Sequence, residues 1–214
     1  MSASVAKELG TLLGSRLSIE RIDLGLLNRI IIHNLLLDDQ NGEELLKATR
    51  LSAKFDITPL FRGKISISNV QLFGFNIQLN REHPEATPNF QFVLDALASK
   101  DDKPKESHLD LRINSILIRR GRISYDVRSE AETPGKFNAS HLRLRNIRAN
   151  VSLKALQNDS INAAIKRLGV EEEHSGFELK ALDLKIIGNQ QGTHIDNFSI
   201  ALPHTYLCTD TIRL

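Results

Sequence analysis

The chain has no tryptophan, one cysteine and two tyrosines among 214 residues. Each scarcity removes a class of explanation. A single Cys208 excludes an internal disulfide framework and a thiolate zinc cluster. Without tryptophan, and with only Tyr125 and Phe137 near its basic residues, the chain lacks the stacked aromatic platform that single-stranded nucleic acid requires. No run approaches the roughly 18 uninterrupted apolar residues of a spanning helix, and Met1 is not followed by a basic stretch and an apolar core. The charge is nearly balanced, +2 from 28 basic and 26 acidic residues, so bulk electrostatics does not make the molecule a polyanion binder.

Catalytic and metal signatures are also missing. The seven histidines are scattered, and there is no H-E-x-x-H, no Cys pair, no G-x-S-x-G and no Gly-rich phosphate loop. His33 and His194 read as exposed or hydrogen-bonded neutral side chains in strands. "DD" at 38–39 and "EEE" at 171–173 read as solvated turn and loop residues, since neither carries the twelve-residue calcium-loop pattern. The expectation is a protein with no catalytic residue, no metal and no cofactor.

What the chain does have is a repeated strand with a stutter. The pattern Φ-x-Φ-x-x-Φ-x-Φ, with Φ apolar, fits Leu17–Leu24, Ile30–Leu37, Ile65–Leu72, Leu111–Ile118, Leu142–Ala149 and Phe177–Leu184, and a degenerate copy spans Thr193–Ile200. Asn takes the fifth place at Asn34, Asn69, Asn146 and Asn197. Strand side chains alternate between faces, so one extra residue is needed to return both halves of such a unit to one apolar face. Asn suits that place because it tolerates unusual backbone angles. The spacing predicts equivalent bulges at Asn34 and Asn69, favoured over the competing reading of a strand whose two halves serve opposite faces of the sheet. Copies are unevenly spaced, so the unit is a strand and not a solenoid repeat.

Three segments read as helices: 1–15, with Val5, Leu9 and Leu12 on one face; 89–98, with Phe90, Leu94 and Leu97; and 159–168, opened by Asp159 or Ser160. Residues 16–98 then form a first β section and 109–214 a second, joined by a charged loop at 99–108. The ending "TIRL" stops on an apparent strand, which reads as a piece of a longer protein whose upstream part would hold a signal or membrane anchor.

The order of elements carries a resemblance. "LLNRIIIHNLLLDDQNGEELLKATRLSAKFDITPLFRGKISISNVQLFGFNIQLNRE", then "NFQFVLDALAS" and "RRGRISYDV", resembles the N-terminal part of the TamB family of the Bacteroides group, within the AsmA-like superfamily. The resemblance spans nearly the whole chain and is densest from Leu17 to Val127. It implies a mainly β fold, an elongated curved β-groove with a few short flanking α-helices. It also implies a periplasmic protein anchored in the inner membrane, working without catalysis in phospholipid transport or outer-membrane protein assembly, with an outer-membrane barrel as partner. The apolar strand residues that match are Ile30, Ile32, Leu35, Leu37, Ile65, Ile67, Val70, Leu72, Ile123, Tyr125 and Val127; on this reading they face phospholipid.

Residues 109–150 hold 9 basic and 4 acidic side chains. Arg112, Arg119, Arg120, Arg122, Arg143 and Arg145 lie on or beside strands there and could form an anion-binding stripe. A solvated outer sheet face is the favoured reading of them, and if they bind an anion, lipid phosphate or an acidic partner fits better than nucleic acid. A second functional reading is a module whose open sheet edge pairs with a client strand.

Overall fold

The computed structural model describes residues 2–26, 28–56, 65–97, 109–110, 114–157, 160–189 and 192–213. One-sided apolar segments dominate, and they build a single mixed sheet. Its strands are β1 (Leu17–Gly25), β2 (Arg29–Asp38), β3 (Glu44–Asp56), β4 (Ile65–Arg81), β5 (Leu109–Asp110), β6 (Ser115–Val127), β7 (His141–Gln157), β8 (Ser160–Glu172), β9 (Glu178–Asn189), β10 (Gly192–Ala201) and β11 (Tyr206–Arg213). They follow chain order from β1 to β11, with two-residue β5 beside β4 off the main path, and β1 and β11 do not pair. Neighbours are antiparallel except where β5 and β6 join β4. A parallel step needs a crossover, and helix α2 (Gln91–Leu97) lies within that connection.

The expected helix over 159–168 is instead part of β8. Ile161 and Ile165 have helical spacing, but with Ala163 they also alternate, and β7 and β9 pair with the segment on its two sides. Two ladders of backbone hydrogen bonds decide between the periods, which local propensity could not. The expected helix over 1–15 is α1 (Ser2–Leu13), but its packed residues are Ala6 and Leu13, while Leu9 is 39% exposed. In α2, Phe92 is buried beside Phe90 and Val93, and Leu94 is 49% exposed. The side chains of Val5, Leu12 and Leu97, and the loop at 99–108, lie outside the described residues.

The stutter is a line across the sheet. Asn34, Gly74, Arg120, Asn146, Arg167 and Asn197 all have positive φ, between 50° and 63°, in β2, β4, β6, β7, β8 and β10. Each sits in the fifth place of a Φ-x-Φ-x-x-Φ-x-Φ unit, including Val70–Ile77 and Ala163–Val170; in Ile116–Ile123 glycine fills the sixth. A left-handed residue re-aims the strand, so apolar residues on both sides of it reach one face. At Asn34 this happens without the expected extra residue: register with β1 and β3 is unbroken there, because both neighbours change face at the same level. Asn69 is not equivalent. It has no positive φ; a one-residue register shift against β3 falls just before it, between Lys54↔Asn69 and Phe55↔Ile67.

Left-handed geometry costs an ordinary L-residue about 1–2 kcal/mol, less for Asn. Among the described residues the Arg167 side chain forms no hydrogen bond or ion pair, while its backbone N–H donates to Asp183 Oδ1 at 3.1 Å. Arg167→Asn should therefore raise the unfolding free energy by about 0.5–1 kcal/mol. A urea midpoint that falls would sink this reading.

Candidate functional site

The apolar face is organised in rows set by register. One runs Leu24, Ile30, Ala53, Val70, Ile116, Val151, Ile165, Leu184. A second runs Ile22, Ile32, Leu51, Leu72, Ile118, Ala149. Beyond the line of positive-φ residues comes a third, Ile19, Leu35, Ala48, Phe75. The Phe75 ring fills the place where a side chain at Gly121 would stand, and it clusters with Ile147, Leu35 and Ala6. A fourth holds Leu17, Leu37, Leu46, Ile77, Ile123 and Leu144.

Cover over this face is uneven. Ala6 of α1 closes over the third row, and Phe92 of α2 over Leu37 and Leu45. The helix residues that join the buried clusters, Ala6 and Leu13 of α1 and Phe92 and Val93 of α2, pack with the other rows, and no residue of the first row belongs to either cluster. From Ile30 to Leu184 the first row is half-buried, and its end, Leu24, is 82% exposed.

The residues expected to face lipid therefore divide. Leu35, Leu37 and Val127 are buried. Ile30, Ile32, Val70, Leu72, Ile123 and Tyr125 are half-buried, with the Arg81 guanidinium 5.6 Å from the Tyr125 ring centre. Ile65 and Ile67 belong to β4, but their side chains lie outside the described residues. Ile116, Ile118, Val151, Ile165 and Leu184 complete the face; the copy of the motif at Ile116–Ile123 was hidden by Gly121 in its sixth place.

The arginines do not form one stripe. Arg143 pairs with Asp126 at 2.9 Å, and Arg145 with Glu171 at 2.8 Å and Glu173 at 3.8 Å. Arg119, Arg120 and Arg122 form no ion pair among the described residues, and Arg112 lies outside them. The carboxylates that neutralise Arg145 arrive from β8 and the turn after it, about 26 residues later in sequence.

Turns at one end of the sheet carry buried polar groups, against the expectation of solvated loops. Asp39 is 2% exposed; its Oδ1 accepts from the Asn41 and Glu43 amides, and its Oδ2 from Asn89 Nδ2 at 3.3 Å. Glu172 is also 2% exposed. Burial would raise its pKa, but bonds from the Ser175 hydroxyl and from the amides of Ser175, His174 and Arg143 outweigh that and hold it at about 2. His141 binds Asp126 Oδ1 through Nδ1 at 2.9 Å and the Glu130 carbonyl through Nε2 at 3.0 Å. The Asp126 bond raises the His141 pKa, opposed by burial and helped by the Glu130 carbonyl. Both ring nitrogens are engaged, so neither is free to act on a substrate. His33 and His194 sit 3.0 Å from Asp23 and 3.6 Å from Asp196. Among the described residues no three His, Cys, Asp or Glu side chains converge as a metal site, and no helix is long and apolar enough to cross a membrane.

No protein-family model matches the chain, and no curated protein matches it significantly in sequence.

Proposed function

We propose that the sheet is a section of a lipid-handling β-groove of the TamB and AsmA-like kind, working non-enzymatically in the periplasm between inner and outer membrane. The observation that carries this reading is the half-buried first row from Ile30 to Leu184, none of whose residues joins the buried clusters that hold α1 and α2. An acyl chain laid along it gains about 0.8 kcal/mol per buried methylene, while its headgroup stays in water at the rim. The rows run across the strands, so a chain can lie on several strands in succession. Ile30, Ile32, Val70, Leu72 and Ile123 belong to this surface. Leu35, Leu37 and Val127 are core beneath it.

The test uses a fluorescent phospholipid. Wild-type protein should co-purify with it or transfer it between vesicles. Val151→Asp places a carboxylate in the uncovered first row, where water can still reach it, so the fold should persist while lipid capture falls about tenfold or more. If wild type captures no lipid, the groove reading is wrong for this segment. An open edge offers a second reading: β11 is exposed along nearly its whole length, with Tyr206 and Leu207 at 65% and 58%, and could take a client strand.

A further inference from the structure

The opposite face of the sheet carries a site of different chemistry. Register sets Arg21 beside His33, His33 beside Arg50, Arg50 beside Phe73 and Phe73 beside Arg119, a row across five strands just before the line of positive-φ residues. Leu72 and Phe75 point to the apolar face, so Phe73 points away from it and is 39% exposed. Around it is a cavity of about 270 Å³ whose walls include His33, Thr49, Arg50, Gln71, Phe73 and Arg119.

The charges here lack the partners that quench Arg143 and Arg145. Arg50, Arg119 and Arg120 form no ion pair among the described residues. Acidic side chains on β1 are taken up at the far end of the row and beside it, Asp23 by Arg21 and His33 and Glu20 by Asn34, and neither pairs with Arg50, Arg119 or Arg120. Arg119 is held in place, its Nη1 donating to the carbonyls of Ile118 at 2.8 Å and Ala149 at 3.4 Å, which leaves its other N–H groups for a ligand. The Arg120 guanidinium lies 5.1 Å from the Phe73 ring centre. Arg50 and Arg119 stand directly opposite Phe73 on its two neighbouring strands, and both line the cavity with it.

We propose that this cavity binds a phosphate monoester carried on a compact organic group. Two guanidiniums, with a third nearby, suit a group of charge about −1.5 to −2 better than a single carboxylate. The Phe73 face takes the organic part, and the cavity has room for one ring or a short chain beside the phosphate. The site is on the other side of the sheet from the proposed acyl-chain surface and does not rest on it.

Phenyl phosphate is the probe, titrated calorimetrically at low salt. One saturable site is expected, weakened by salt. Arg50→Gln and Arg119→Gln should each weaken it about tenfold or more, since bonds to charged groups are the strong ones. Phe73→Leu should weaken phenyl phosphate while leaving inorganic phosphate unchanged. Val151→Asp should leave phenyl phosphate binding intact, which separates this site from lipid capture on the other face. Melting temperatures of the three outer-face variants should stay near that of wild type. Flotation with phosphatidic acid vesicles, lost in Arg50→Gln, would identify the ligand as a lipid headgroup; saturable phenyl phosphate binding without flotation would identify a free phosphate monoester. No saturable phenyl phosphate binding at millimolar concentration, or binding unchanged when Arg50 and Arg119 are both replaced, would overturn the site, and so would vesicle binding without phenyl phosphate binding.

Discussion

Replacing Phe75 by alanine is expected to lower the unfolding free energy by about 3–5 kcal/mol, the loss typical of a buried aromatic ring. The ring is 4% exposed and joins β2, β3 and β7 through Leu35, Ala48 and Ile147. Gly121 has no side chain to collapse into the space, and Phe75 already occupies the volume a Cβ there would need. Gly121→Ala should therefore cost about 1–3 kcal/mol by overpacking. In the Phe75→Ala background the same change should cost nearly nothing, because the clash has gone, and the cycle then measures the coupling. Val151→Ala, in the half-exposed first row, should cost less than about 1 kcal/mol. Urea midpoints decide the matter: if Phe75→Ala loses no more than Val151→Ala, the third row is not the core of this sheet.

Acid should remove a comparable amount of stability through one carboxyl. The folded pKa of Glu172 is about 2 against an ordinary 4.5, a lowering that contributes stability above 4.5 and loses it as pH falls from there toward 2. At one pKa unit per 1.36 kcal/mol the effect is at most roughly 3.5 kcal/mol. His141 works with the opposite sign. Its folded pKa is raised, so its contribution is complete below the unfolded value near 6.5 and is lost as pH rises through the folded one. Stability should thus peak between about pH 4.5 and 6.5. Glu172→Ala, which strips the acceptor from the Ser175 and His174 amides, should cost about 2–3 kcal/mol at pH 6 and flatten the acid limb. An unchanged acid limb in that variant would mean other carboxyls set the acid transition.

Some of this was legible locally. A residue that must take a left-handed angle between two alternating runs is announced by its neighbours alone, and Asn34, Asn146 and Asn197 all have it. The turn after Asp38 and the α1 and α2 helices were visible for the same reason: three to twelve adjacent residues carry their own period and caps. Chain-distant pairing decided the rest. Ser160–Glu172 became a strand because β7 and β9 lie on either side of it, and β4 is left-handed at Gly74, not at Asn69, because the change of face must match that in β3 beside it. Arg145 lost its free charge to Glu171 and Glu173, while Arg50 and Arg119, 69 positions apart by number, met across Phe73. Periodicity is a property of neighbours in sequence and fixes which side of a strand is apolar. Register is a property of neighbours in space, and it alone selects which charges are quenched, which glutamate is buried, and which apolar rows lie beneath a helix.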